Sequence, residues 1–209
     1  IYTDPAHPYV SNFRARRTGE QPNWRVADLN NSNLKPWVVE SLRKANADAL
    51  AGKAMFTREA RCWATGVPAM LLNPGSLFFI QTPKQVVIVQ ESDHRVRHVY
   101  LNMPHSKNPA QSWYGESVGH YDGDTLVVDT VAFEPSISGL GVSVPSGPAK
   151  HTVERFMLSP DKVRLRYEIT VEDPMYLTAP AKLSQQWDHR PDLEFSQDNG
   201  SCDKEAAER

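Results

Sequence analysis

Neither sign of charge dominates this sequence. Its 209 residues carry 23 Lys and Arg against 25 Asp and Glu, for a formal net charge of −2. A chain so balanced has no field to draw in nucleic acid or an anionic membrane surface, so neither is expected as a partner. No apolar run approaches 18 residues, so no helical membrane span is expected. Aromatic residues make up 9% and all hydrophobic residues 40%, with a mean hydropathy of −0.52. That is thin for a large core but adequate for a barrel or sandwich of half-exposed strands. Only 11 glycines stand against 16 prolines, which points to much ordered loop. The motifs that announce common chemistries are missing too. There is no G-x-S-x-G nucleophile elbow, no P-loop, no G-x-G-x-x-G ahead of a helix, no H-E-x-x-H and no C-x-x-C. No organic cofactor and no compact metal site is expected.

What is present is period-two patterning. Residues 1–33 lack periodicity and read as an extended arm, anchored by Tyr9, Phe13 and Trp24. Asn33 is positioned to cap a helix with Pro36 in its first turn, and Val38, Leu42, Ala45 and Ala49 then recur at helical spacing before Gly52. From residue 76 the pattern switches to strands. LFFIQ and QVVIVQE flank Pro83-Lys84, and VRHVYL follows. GESVGHYDGDTLVVDTVAF is a hairpin around Asp122-Gly123. HTVERFML and KVRLRYEITV flank Pro160-Asp161, and KLSQQWDHR and LEFSQ close the series. Eight or nine antiparallel strands at regular spacing predict a lipocalin-like meander barrel, with residues 1–60 as arm and helix and residues 61–209 as the barrel. Residues 102–112 and 134–148 are the long loops, the second rich in Gly, Ser and Pro and expected to be mobile. In a closed barrel the first and last elements are neighbours. Cys62 and Cys202 are therefore expected to form a disulfide in an oxidising compartment, closing about 140 residues for roughly 5 kcal/mol. The chain begins at Ile1 without methionine or a signal-peptide pattern, so a processed N-terminus is expected.

The Asp-Gly hairpin sets up the main chemical question. A two-residue turn pairs Tyr121 with Asp124, and counting outward brings Glu116 opposite Asp129. Both would lie on a face with Tyr114, Val118, His120, Thr125, Val127, Val131 and Phe133. The apolar members of that face place the two carboxylates inside the barrel. Carboxylates roughly 5 Å apart at Cβ cannot both ionise cheaply, so one stays protonated beside the other, an acid/base arrangement. The alternatives are neutralisation by Arg97 or Arg155, or a wet surface.

The next hairpin gives a third carboxylate. Thr152, Glu154, Phe156 and Leu158 share a face with Val163, Leu165, Tyr167 and Ile169, which is apolar except for Glu154. A lone carboxylate on a core face needs a hydrogen-bonded or charged partner, which makes Glu154 a further candidate catalytic group beside Glu116 and Asp129; the structural alternative pairs it with an arginine or with the N-terminal arm. Of the histidines, His94 and His98 lie about 13 Å apart along one strand and cannot share a metal. His94 and His105, at the ends of VRHVYL and its following loop, are the candidate proton carriers. Tyr100, Trp113, Tyr114, Tyr167 and Trp187 are candidates to line an apolar ligand cavity.

GDTLVVDTVAF, with GVPAMLL and IQTP before it and HTVERF after it, resembles a family of secreted or periplasmic bacterial proteins with GDTLVVDT and VERF motifs. The resemblance covers roughly Arg61 to Cys202. It implies an exported protein and brings no activity with it. It also implies varied polar residues at the position of Glu116, three after Trp113, and so a firmer role for Asp129 than for Glu116. The combined expectation is a small barrel enzyme doing cofactor-independent acid–base chemistry, as a lyase, dehydratase or isomerase, on an apolar or aromatic molecule. The alternatives are a ligand-binding barrel without turnover and a structural or interaction module.

Overall fold

The computed structural model describes residues 26–53, 63–64, 66–72, 76–91, 95–141 and 143–192. The arm anchors Tyr9, Phe13 and Trp24, the candidate His94, the LEFSQ strand and both Cys62 and Cys202 lie outside the described residues.

Helix α1 spans Pro36–Leu50 and buries Val38, Leu42 and Asn46. Proline opens it where its missing N–H costs nothing. The cap position falls on Lys35, which makes no side-chain cap bond, rather than on Asn33. Asn33 instead donates Nδ2–H to the Pro180 carbonyl (2.9 Å), while Lys35 N–H bonds the Tyr176 carbonyl (3.1 Å). These bonds tie the helix entry to the loop after β9. A short helix α2, Ala69–Leu72, is wholly apolar and buries Met70, Leu71 and Leu72.

Ten strands follow among the described residues: β1 Leu77–Gln81, β2 Gln85–Gln90, β3 Arg95–Leu101, β4 Glu116–Asp122, β5 Thr125–Val131, β6 Ser136–Gly141, β7 Val144–Ser146, β8 His151–Leu158, β9 Arg164–Glu172 and β10 Ala181–Asp188. Eight form one sheet in the order β1-β2-β3-β4-β5-β8-β9-β10, curled into a half-barrel. Alternation in β2, β5, β8 and β9 sends one residue in two to a buried face: Val86, Ile88, Leu126, Val128, Phe156, Tyr167, Ile169 and Val171. These join Val38, Leu42, Met70, Leu71, Leu140 and Val144 in one core cluster.

Three expectations need correction. The sheet is not a pure antiparallel meander, because β3 and β4 are parallel, Val99 pairing with Ser117 and Tyr100 with Val118. The segment expected as a mobile loop at 134–148 contains β6 and β7, which pair as a separate two-stranded sheet. The β4–β5 turn is centred one residue later than expected. Asp122 pairs with Thr125, so Glu116 lies opposite Val131 and Asp129 opposite Val118. The pairing therefore slips by two residues, and because side chains alternate with period two, the shared faces survive. The Pro160-Asp161 hairpin slips by the same even step, with Leu158 opposite Leu165.

Candidate functional site

Parallel neighbours need a crossover connection. Residues 102–115 make it, returning from the end of β3 to the start of β4. Asn102 begins the reversal at φ 58, its N–H bonded to the Gly119 carbonyl (2.8 Å). Ser112 bridges to Phe133, and Gly115 re-enters the sheet at φ 67. The crossover delivers His105 to Glu116 and Asp129, and Met103 and Pro104 to a groove shared with Val118 and His120.

That face is the outer one, which corrects the expectation that Glu116 and Asp129 point inward. The fully buried residues of β5 are Leu126, Val128 and Thr130, while Val127, Asp129 and Val131 alternate on the partly exposed side. Phe133 misled the reading. It is fully buried, but Ala132 at φ 56 breaks the alternation, so Phe133 does not continue the face of Asp129.

On the outer face Glu116 and Asp129 are diagonal neighbours, and His105 bridges them. Its Nδ1 lies 3.0 Å from Glu116 Oε1 and its Nε2 lies 2.8 Å from Asp129 Oδ1. Glu116 Oε1 also accepts the Ser106 backbone N–H at 2.8 Å. The chain of contacts continues, with His151 Nε2 at 2.9 Å from Asp129 Oδ2 and His151 Nδ1 at 3.4 Å from Glu172 Oε2. Carboxylate and imidazole alternate across β4, the crossover, β5, β8 and β9.

A neutral imidazole has one N–H and one lone pair. Each histidine here faces a carboxylate with both nitrogens, so a neutral ring can donate at only one of its two contacts. Hydrogen bonding from Ser106, with His105 adding to it, holds the Glu116 carboxyl below its usual range. Burial works against the Asp129 charge, but the bonds from His151 and His105 prevail and hold its carboxyl low. Burial likewise opposes the His151 charge, yet Asp129 and Glu172 hold that imidazole above the usual histidine value. Neither carboxyl of the pair is pushed up: hydrogen bonds from Ser106, His105 and His151 hold both low.

A groove of about 220 Å³ opens beside the bridge, lined by Asn102, Met103, Pro104, Val118, Gly119, His120 and Asp129. The Asp129 side chain is 40% exposed and is the member of the chain that faces this space. Among the described residues, no group of three or more His, Cys, Asp or Glu side chains is arranged to hold a metal ion.

Glu154 is on the opposite, buried face, where it is fully enclosed and paired with Arg97, which is 1% exposed. Arg97 Nη1 donates to Glu154 Oε1 (2.9 Å) and Nη2 to Oε2 (2.5 Å), a fork-to-fork contact. Ser117 and Thr130 accept further bonds from the guanidinium, and Tyr167 Oη donates to Glu154 Oε1 at 2.8 Å. Burial opposes the Arg97 charge, but Glu154 more than restores it; burial and Glu154 together push the Tyr167 phenol well above its usual value. The cluster takes one residue from each of β3, β4, β5, β8 and β9.

The five candidate cavity aromatics are dispersed, and none lines the groove. Tyr167 is in the core between Phe156 and Trp187, at ring distances of 4.9 and 5.4 Å. Trp113 stacks on Trp63 at 6.0 Å, Tyr100 is exposed beside His98, and Tyr114 packs against the core cluster. Sequence reading brought Glu116, Asp129 and His105 into one candidate set, and the structure places them in contact. It missed His151 and Glu172, because their face, with Arg155, Arg164, Arg166 and Glu168, reads as plain solvated surface. A cross-strand count from the expected turn sets His151 opposite Thr170; only the two-residue slip of the hairpin brings Glu172 there. Comparison with protein-family profiles, curated proteins and solved structures finds no match.

Proposed function

We propose that the protein is an enzyme that moves protons on a small molecule held in the groove, by a lyase, dehydratase or isomerase type of reaction. The observation that carries this reading is the suspension of His105 between two carboxylates, one of which, Asp129, lines the groove. Glu116, fixed by Ser106 N–H, orients the ring through Nδ1 as the carboxylate of a catalytic dyad does. Substrate entering the groove takes over the His105 Nε2–H, which acts as general acid, while Asp129 acts as base. In an elimination, Asp129 removes a proton from carbon and the His105 imidazolium protonates the departing hydroxyl as water. The proton on Asp129 then returns to His105 Nε2 across their 2.8 Å contact, restoring the starting state. Met103, Pro104 and Val118 favour an apolar body on the substrate.

Three further readings belong with this one. The curled eight-stranded sheet supports a lipocalin-like reading of the fold. The GDTLVVDT and VERF segments support membership of the exported bacterial family, and with it a periplasmic or secreted setting. That setting supports a Cys62–Cys202 disulfide, which thiol titration of the denatured protein, with and without reductant, checks directly.

A non-catalytic reading has its own observation. Both nitrogens of both histidines are occupied, as they would be in a purely structural ion ladder. The experiment that separates the two is incubation in D2O with a panel of β-hydroxy and α-carbonyl compounds bearing aromatic or alkyl groups. Deuterium incorporation or water loss is read by NMR. The enzyme reading expects turnover of at least one compound, reduced about 10²–10⁴-fold in His105→Asn with melting temperature little changed. No turnover by the parent, or equal turnover by parent and variant, favours the structural ladder.

A further inference from the structure

The cross-strand register suggests a part for two residues that the proposed reaction does not use. We propose that His151, anchored by Glu172, is a positioning residue that holds Asp129 in place as the base of the groove. The inference rests on the acid–base reading of Asp129.

The geometry is specific. Asp129 divides its two oxygens between two imidazoles, Oδ1 to His105 and Oδ2 to His151. The His105 contact is the one a substrate must exchange. The His151 contact lies on the other oxygen and survives that exchange. A carboxylate with one oxygen pinned cannot rotate away when its other partner leaves, which is what a base needs while substrate binds. His151 is itself pinned, because β8 and β9 pair it directly opposite Glu172, whose Oε2 meets Nδ1 at 3.4 Å. The sheet register therefore fixes the position of His151 and, through it, Asp129.

The other charged groups around Asp129 have partners or positions of their own. Glu116 and His120 share its face on β4, Glu116 meeting His105 and His120 lining the groove. Arg155 of β8 is turned to Asp122 at 3.3 Å, and Arg166 of β9 to Glu168. His105 and His151 are the imidazoles in contact with Asp129. Both hold its carboxyl low.

The test needs no substrate. The carboxyl carbon of Asp129 is titrated by NMR in the parent, His151→Gln and Glu172→Gln. Glu172 is half exposed and touches neither Asp129 nor His105, so its variant should fold even where His151→Gln does not. A positioning role predicts that the Asp129 midpoint rises in both variants, by roughly half a unit to one unit for a partly exposed pair. It also predicts a smaller rise in Glu172→Gln than in His151→Gln, because Glu172 acts on Asp129 only through His151. An Asp129 midpoint unmoved in Glu172→Gln, with only melting temperature changed, overturns the inference. A shifted midpoint in a protein that turns over nothing in D2O leaves the positioning intact and removes the acid–base reading instead.

Discussion

Glu154 shows how far a single residue can be read from sequence. Its place on an apolar face required a buried partner, and Arg97 was among the arginines named for the neighbouring carboxylates. The structure supplies that arginine with a tyrosine and two hydroxyl side chains around the pair. Glu154→Gln leaves a buried guanidinium without its counter-charge, which costs about 3–5 kcal/mol. At about 2–4 °C per kcal/mol for a chain of this size, calorimetry should show a melting temperature lower by roughly 10 °C. A drop of only a degree or two would mean that water replaces the carboxylate. His151 illustrates the opposite case. Nothing in its local pattern sets it apart from a solvated face, because its partners, Asp129 and Glu172, come from two other strands. Chemistry made by convergence of outward-facing residues leaves no periodic trace.

At the level of elements, strand existence was legible and pairing was less so. β1 to β5 and β8 to β10 each stand where alternation and turn residues put them. Both hairpin registers were off by an even step, which preserved faces and changed partners. The parallel step from β3 to β4 was not legible, since its crossover carries no helical pattern. Yet this connection makes the site, and its closing hinge is demanding. At Gly115 a Cβ would sit 2.4 Å from the Val131 carbonyl oxygen and 2.8 Å from Thr130 Cγ2, in a left-handed conformation. Gly115→Ala therefore incurs a left-handed cost of about 1–2 kcal/mol before any clash. The substitution should lower the urea midpoint and shift the amide resonances of Ser106 and Glu116. Unchanged Ser106 and Glu116 resonances would show that the crossover holds His105 independently of its hinge.

For the whole molecule, the half-barrel sorts its ionisable groups by face. Among the described residues, the inner face holds the enclosed Arg97–Glu154 pair and the outer face the alternating carboxylate–imidazole chain. Their pH signatures differ. Glu116 and Asp129 have lowered folded-state values, so their stabilisation is present above about their ordinary 4.5 and 3.8 and is lost as pH falls through the folded values. His151 has a raised value, so its stabilisation is complete below its ordinary 6.5 and is lost as pH rises through the folded value. The outer chain thus contributes most between these limits, by an amount below about 1 kcal/mol for partly exposed pairs. The melting temperature difference between parent and His151→Gln should be greatest near pH 5–6 and should shrink toward pH 9. A difference constant with pH would detach His151 from the chain. In the proposed reaction His105 and Asp129 work on a bound molecule as one acid–base unit. Its most direct test is the rate of solvent deuterium incorporation in the parent, His105→Asn, Asp129→Asn and the double variant. Groups that act together are not additive. The double variant should then be about as slow as either single one. Independent losses that multiply, or a rate unchanged by all three, would contradict that joint action.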